Sequence, residues 1–343
     1  MYQINPRGVS KGFRPSQNDA LINLHEPLKD SLPIMSKPRS DKTITRSNLN
    51  FEGIKEEVQK LGGFYHETEH HVITYTPGAS RLLVSFDNLA SLKSKHPRKP
   101  WGQDVAQKNG WGSLGIMTKK NDWFRSPELT GYLLELGSQG LFESYSAVSM
   151  YGASMGGYAA CLFAPLAPGC TVVAFAPQSS LSAKDAPFEK RYRFARRNYD
   201  WSSNEWRDAA RGLKAAGKAY LIYDPTIPED FLHAQRLAGP QVTQLTWPGL
   251  THKVPPTLRR LGILEPVAKE VLTGTMSHKR FHELMRVRMK TPLYVFRMME
   301  RASAKGHYQL VDQAISGLPE GFSNWKIRQL RRRNAETQRS WNA

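Results

Sequence analysis

The feature that most constrains the fold is a regular alternation of short apolar runs with helical segments. Strands are predicted at residues 71–76, 81–86, 113–117, 147–151, 171–175, 218–223 and 241–246. Helical segments are predicted at 51–61, 127–136, 156–163, 201–216, 228–237 and 255–272. Strands that alternate with helices form parallel βαβ units. The pattern therefore predicts an α/β fold, with a mostly parallel central sheet and helices on both faces.

Composition divides the chain into three segments. Residues 1–50 are polar and rich in Pro, Ser, Lys and Asn, which predicts a mostly disordered or loosely draped arm. Residues 51–274 carry the alternation and form the predicted α/β domain, with a lid-like insertion at about 180–216. After Gly274 the strand signal stops, and residues 275–343 are predicted to form a basic helical appendage with helices at 277–300 and 308–333.

The charge of the chain is strongly positive and unevenly distributed. The 343 residues carry a formal charge of +18, and 40% of them are hydrophobic, which excludes a disordered chain. Residues 276–343 contain 14 Lys and Arg against five Asp and Glu. Half of the excess positive charge therefore lies in the appendage. Such charge affects which partners a protein binds and does not determine its fold.

Several classes of protein are excluded or disfavoured by the sequence. No apolar run approaches the roughly 18 residues that span a bilayer, and the N-terminus lacks a signal-peptide pattern. Cys161 and Cys170 have no metal-ligand spacing and are interpreted as buried thiols. The segment 66–71 contains three histidines and two glutamates without helical spacing, and is interpreted as a solvated charged segment. We expect a cytoplasmic protein without a metal site. The sequence does not determine its oligomeric state.

The segment Gly152-Ala153-Ser154-Met155-Gly156 carries the strongest chemical signal. It fits the G-x-S-x-G nucleophile elbow, in which a sharp turn from strand to helix lifts the serine above the sheet. An apolar strand precedes the motif and a helix rich in small residues follows it. This context predicts that Ser154 is a nucleophile.

A serine hydroxyl needs a base, and that base needs an orienting carboxylate. His252 follows the last predicted strand, where a loop can return the imidazole to Ser154. Asp224 directly follows the strand that ends at Tyr223 and is the predicted acid. Asp230 is the alternative acid, although an acidic residue in the first turn of a helix also stabilises the helix dipole.

Backbone N–H groups near Ser154 are predicted to stabilise an oxyanion. Met155 supplies one donor, and the loop after the strand 81–86 supplies the second from either Asp87 or Asn88. Asp122 and Trp123 follow another strand at the same end of the sheet and either line the pocket or pack beside it.

The segment 81–272 resembles the α/β-hydrolase superfamily, in particular a poorly characterised bacterial branch of serine hydrolases. The resemblance is carried by the segments 86–88, 122–124, 152–158 and 176–178, together with Asp224-Pro225 and His252. It implies an α/β-hydrolase fold, a triad of Ser154, His252 and Asp224, and no cofactor. The His-Gly-Gly-Gly oxyanion loop of many lipases is absent.

Two functions follow as hypotheses. The first is a serine hydrolase that cleaves an ester or thioester of a small or polymer-linked acyl substrate, with acyl transfer as a variant. The basic, aromatic segment 188–206 could accept an anionic substrate. The second is an interaction protein on a hydrolase scaffold that binds a polysaccharide, lipid surface or nucleic acid through residues 276–343. The basic residues form no recognised nucleic-acid motif, which disfavours nucleic acid.

Overall fold

The structure is a computed structural model that describes residues 51–94, 98–202, 206–319, 322 and 325–342. The predicted arm at residues 1–50 lies outside these residues. None of the helices in the described ranges combines the length and apolar character that crossing a bilayer requires.

The described residues form one eight-stranded sheet in the order β1-β2-β4-β3-β5-β6-β7-β8. The strands are β1 Phe64–Glu67, β2 His71–Thr76, β3 Arg81–Phe86, β4 Gly112–Thr118, β5 Ala147–Ala153, β6 Thr171–Phe175, β7 Lys218–Tyr223 and β8 Val242–Thr246. The pairs β1–β2 and β2–β4 are antiparallel, and every later pair is parallel. The prediction of a mostly parallel sheet is confirmed.

Helices connect the strands and cover both faces of the sheet. The helices before the last strand are α1 Glu52–Lys60, α2 Gln103–Lys108, α3 Pro127–Ser138, α4 Met155–Leu162, α5 Arg193–Asn198, α6 Ala209–Gly212 and α7 Pro228–Arg236. Gly152 of β5 faces α4, whereas its neighbour Tyr151 points to the opposite face and stacks on Trp101, just before α2, at 4.4 Å between ring centroids. This alternation follows from the two-residue period of a strand.

The structure corrects the predicted helices at 201–216 and 255–272. The segment 201–216 contains only the short α6 and a 3₁₀ turn in its described residues, because Asp208 caps the helix late and Ala216 is already extended. The segment 255–272 is divided into α8 Val254–Arg260 and α9 Leu264–Leu272. Gly262 lies between them with a φ of 73°, a left-handed conformation that ends a helix without steric cost.

The described residues after Gly274 are mainly helical, as predicted, but the structure divides each of the two predicted helices, 277–300 and 308–333, into two helices. Its helices are α10 His278–Met285, α11 Pro292–Ala304, α12 Tyr308–Ser316 and α13 Trp325–Asn342. The first part of this segment is integrated with the sheet, because the main hydrophobic core includes Phe281, Met285 and Tyr294. The second part packs on itself in a smaller cluster of Val295, Met299, Val311, Ile327 and Leu330.

We expect Phe281→Ala to lower the free energy of unfolding by about 3 kcal/mol, because the ring is fully buried and its removal leaves a cavity. Met289→Ala is the matched control, because that side chain is 54% exposed. Chemical denaturation of both variants measures the difference. Equal, small effects would show that α10 does not share the main core.

Candidate active site

Ser154 lies on a strained turn between β5 and α4. Its φ of 51° and ψ of −118° place it in a region that non-glycine residues rarely adopt. The turn is held by a hydrogen bond from the Ser154 N–H to the Phe175 carbonyl, at 2.8 Å. The backbone therefore carries the conformation that the nucleophile-elbow motif predicts.

The two glycines of the motif are required by close backbone contacts. A Cβ on Gly152 would lie 2.1 Å from the Gly156 carbonyl oxygen, and a Cβ on Gly156 would lie 2.4 Å from that of Phe86. Neither contact can relax easily, because both partners are backbone atoms. The strained serine thus follows the fifth strand of a sheet with the order described above. The chain has the α/β-hydrolase fold.

His252 reaches Ser154 from the loop between β8 and α8. Its Nε2 lies 2.9 Å from the Ser154 Oγ, and its Nδ1 lies 2.8 Å from a carboxylate oxygen of Asp230. The carboxylate requires a proton on Nδ1, which leaves Nε2 as the acceptor that faces the serine. About 30% of the imidazole is exposed, so the group is accessible from solvent.

The carboxylate beside His252 is Asp230, the alternative acid, and not Asp224. Asp230 lies in the first turn of α7 and is buried, because that turn faces the histidine rather than solvent. Asp224 is also buried, but its Oδ2 accepts the N–H groups of Gly249 and Thr251, each at 2.9 Å. Its Oδ1 accepts a hydrogen bond from the Thr226 hydroxyl. The predicted position of Asp224 in the triad is therefore corrected.

A charged network continues from Asp230, and its acids and its histidine are buried. Arg191 donates to Asp230 at 2.8 Å and to Glu189 at 2.6 Å, and Glu189 lies 3.0 Å from the Nε2 of His233. The Ser179 N–H donates to His233 Nδ1, so the ring proton is on Nε2 and faces Glu189.

The network changes the acidity of its members. Burial favours a neutral Glu189, but hydrogen bonds from His233 and Arg191 outweigh it and lower the pKa of the carboxyl to about 2. Burial lowers the pKa of His233. Glu189 is thus an anion that anchors Arg191 against Asp230. In the sequence, Arg191 is one of several cations in the basic segment 188–206, and no local pattern there predicts this contact.

Tyr192 is a further residue at the site that sequence reasoning did not single out. Its hydroxyl lies 3.2 Å from His252 Nε2 and 3.4 Å from Ser154 Oγ. Gln178 donates to the same hydroxyl at 3.3 Å. The only sequence signal was the position of Tyr192 within the lid-like insertion, which nothing connects to Ser154 before the chain folds.

Trp123 packs behind Tyr192, and the two rings meet edge to face with centroids 4.8 Å apart. Asp122 accepts the Phe124 N–H at 3.1 Å and lies 3.2 Å from His70 and 3.3 Å from His71. Burial favours a neutral Asp122, but the hydrogen bonds from these histidines outweigh it and lower its pKa to about 2. Trp123 therefore contacts the site through the Tyr192 ring, and Asp122 holds the backbone next to Trp123.

The histidine-rich segment 66–71 is only partly solvated. His71 is buried beside Asp122, and His66 stacks on Tyr132 with ring centroids 3.7 Å apart. Within the described ranges, no group of three or more His, Cys, Asp or Glu is arranged to hold a metal ion.

The structure distinguishes the two candidates for the second oxyanion donor. The Asp87 N–H already donates to the Ile116 carbonyl at 3.1 Å. The Asn88 N–H lies at a long 3.4 Å from the Ser91 Oγ, and so is held more weakly. Met155 is the first residue of α4, and the first N–H groups of a helix have no partner within the helix. Of Asp87 and Asn88, it is therefore Asn88 whose backbone N–H is held less strongly by its neighbours.

Asp87 has a different place in the structure. Its buried carboxylate pairs with Arg98 at 3.0 Å and accepts the Thr118 N–H at 3.1 Å. Burial raises the pKa of Asp87 to about 6, although Arg98 opposes the shift. These contacts hold in place the loop after β3, which contains Asn88.

A large cavity lies on the other face of the sheet. It measures about 700 Å³ and is lined by Trp101, Tyr151, Pro255 and Arg259, among others, but not by Ser154 or His252. Because neither Ser154 nor His252 lines it, this cavity is separate from the candidate active site.

No protein-family model and no curated protein matches the sequence. Among solved structures, the chain is similar to the capsule O-acetyltransferase of Neisseria meningitidis serogroup A, with 13% identity and a TM-score of 0.44 over 62% of this chain and 95% of that chain. It is also similar to an esterase of Pyrobaculum calidifontis, with 13% identity and a TM-score of 0.40 over 68% of this chain and 95% of that chain. Carboxyl esterase 2 of Tuber melanosporum gives 11% identity and a TM-score of 0.42 over 62% and 87%. The strand order, rather than these low-scoring likenesses, carries the fold assignment.

We expect Asp230→Asn to lower the rate at which Ser154 reacts with a fluorophosphonate by about 100-fold or more, because the amide favours the wrong imidazole tautomer. Asp104→Asn is the control, because that carboxylate is exposed on α2, on the other face of the sheet. The second-order labelling rate is the measurement. An unchanged rate in Asp230→Asn would contradict the assignment of Asp230.

Proposed function

We propose that the protein is a serine hydrolase that cleaves an ester or thioester through an acyl-enzyme intermediate. The observation that carries the proposal is the continuous line from Ser154 through His252 to Asp230, with hydrogen bonds of 2.9 and 2.8 Å. A hydroxyl, a base and an orienting acid in this geometry form the general apparatus of acyl transfer.

The first half of the reaction forms the acyl-enzyme. His252 Nε2 takes the proton of Ser154 as its Oγ attacks the acyl carbonyl, and Asp230 stabilises the resulting imidazolium. The N–H groups of Met155 and Asn88 would stabilise the oxyanion. His252 then returns the proton to the leaving oxygen or sulfur as the bond to the acyl carbon breaks.

The second half releases the acyl group. A water molecule gives a proton to His252 as its oxygen attacks the acyl carbon. His252 then returns the proton to the Ser154 Oγ as the bond from Oγ to the acyl carbon breaks, which yields the free acid and restores Ser154. The Tyr192 hydroxyl lies beside both His252 Nε2 and Ser154 Oγ, where a leaving or attacking oxygen would have to bind. We propose that the leaving or attacking oxygen displaces the Tyr192 hydroxyl from this position. An acceptor alcohol in place of water would make the reaction an acyl transfer.

Labelling with a fluorophosphonate probe tests the proposal. We expect stoichiometric labelling of the native protein and none of Ser154→Ala, because the base His252 lies beside this serine. Ser180→Ala is the matched control, because it removes a buried serine hydroxyl that pairs with Asp185 instead. Absence of labelling in the native protein would overturn the proposal. If the native protein is labelled, rates measured with acetyl to decanoyl esters and thioesters, with and without an added alcohol, would define the acyl group and the acceptor.

A second proposal concerns a partner of the basic surface of α13. Ile327 and Leu330 are buried in the small C-terminal cluster, so the helix turns its arginines outward. The exposed cations include Arg328, Arg331, Arg332 and Arg333. We infer that this surface binds an anionic polymer or lipid surface by charge attraction.

We expect a full-length variant with Arg328, Arg331, Arg332 and Arg333 all changed to Gln to elute from heparin at lower salt and to bind anionic vesicles about tenfold or more weakly. The matched control changes four exposed cations elsewhere to Gln, namely Lys60, Lys184, Arg211 and Lys214. An equal effect of the two variants would show that only net charge matters, and would contradict a specific role of α13. Deleting the whole appendage is unsuitable because α10 and α11 are part of the main core.

A further inference from the structure

The loop that carries His252 has an unusual backbone. Residues 247–253, between β8 and α8, form the histidine loop. Gly249 has a φ of 98°, and Thr251, directly before His252, has a φ of 59°. A β-branched residue in this region is a conformational outlier and carries backbone strain. Other contacts must therefore hold the loop in this shape.

The strained part of the loop is held by Asp224. One oxygen, Oδ2, accepts the N–H groups of both left-handed residues, Gly249 and Thr251, each at 2.9 Å. The same oxygen accepts a hydrogen bond from Arg301 of α11 at 3.0 Å. Asp224 is fully buried, whereas 39% of the Arg301 side chain is exposed. Arg301 is thus the cation that compensates a buried carboxylate, which is costly to leave unpaired.

A second residue of α11 holds the start of the loop. The Tyr294 hydroxyl donates to the Pro248 carbonyl at 2.8 Å and accepts the Trp247 indole N–H at 2.5 Å. The guanidinium of Arg288, just before α11, lies 4.1 Å from the centre of the Trp247 ring. The C-terminal segment therefore holds the histidine loop at its start, and also near His252 through Asp224.

We propose that Arg301, acting through Asp224, is a positioning residue for His252, so that α11 completes the catalytic geometry. This inference rests on the proposed function for its catalytic consequence. Without Arg301, the Asp224 carboxylate loses its countercharge and the strain at Thr251 is free to relax. A shift of about 1 Å in a catalytic group can lower the rate 100-fold. The effect should fall on turnover rather than on substrate binding, because Arg301 acts on the loop backbone and not on the serine.

Arg301→Ala, Arg301→Lys and Lys305→Ala in the full chain test the inference. Lys305 is an exposed cation one turn further along, at the end of α11, and its removal changes the net charge equally. Hydrogen–deuterium exchange of residues 247–253 reports the loop, and fluorophosphonate labelling with ester kinetics reports the site. For Arg301→Ala we expect exchange in the loop to rise, labelling and kcat to fall about tenfold or more, and KM to change little. Arg301→Lys should recover part of the loss, and Lys305→Ala should behave as the native protein.

The outcomes separate this inference from the proposed function. Unchanged exchange in the histidine loop of Arg301→Ala overturns the inference, and so does a rise spread evenly over the sheet, which would indicate general destabilisation. A native protein that is not labelled overturns the proposed function, while the exchange measurement still decides whether Arg301 holds the loop. Faster loop exchange with an unchanged labelling rate shows that the contact does not position His252, and overturns the inference as well.

Discussion

The close backbone contact between the turn at Ser154 and the loop after β3 is the constraint on which the rest of the site depends. Gly156 lies so near the carbonyl of Phe86 that no side chain fits between them. This contact brings the start of α4 beside Asn88, and it lifts Ser154 towards the loops that follow β7 and β8. The strain in the serine backbone is tolerated because β5, β6 and α4 are buried around it.

Two buried carboxylates hold His252 in place in different ways. Asp230 contacts the imidazole itself, whereas Asp224 holds the backbone that carries the imidazole. Each carboxylate is paired with an arginine from a different part of the chain, Arg191 from the segment between β6 and α5 and Arg301 from α11. Burial alone would raise the pKa of Asp224, but hydrogen bonds from Thr226, Thr251 and Arg301 outweigh it and lower that pKa, which keeps the carboxyl ionised. The histidine thus depends on segments that the sequence separates widely.

The predictions that succeeded depend on local patterns. Runs of apolar residues predicted every strand of the described sheet except β1, and the glycines around Ser154 predicted the strained turn, because both signals arise between residues close in the chain. The helix predicted at 201–216 was largely wrong, because the segment follows the surface of the sheet after a late cap at Asp208. The ranking of Asp224 above Asp230 relied on its place at the end of a strand, and in the structure that place serves the loop instead.

The sequence by itself determined the alternation of strands and helices, the turn at Ser154 and the order in which serine, acid and histidine occur. These follow from side-chain period and from the steric freedom of glycine, which are properties of neighbouring residues. Only the tertiary structure decided which carboxylate meets His252, that Tyr192 reaches the serine, and that Arg301 compensates Asp224. Those contacts join residues 22 to 77 positions apart, and hydrogen bonds over such separations exist only after the sheet and its covering helices have packed.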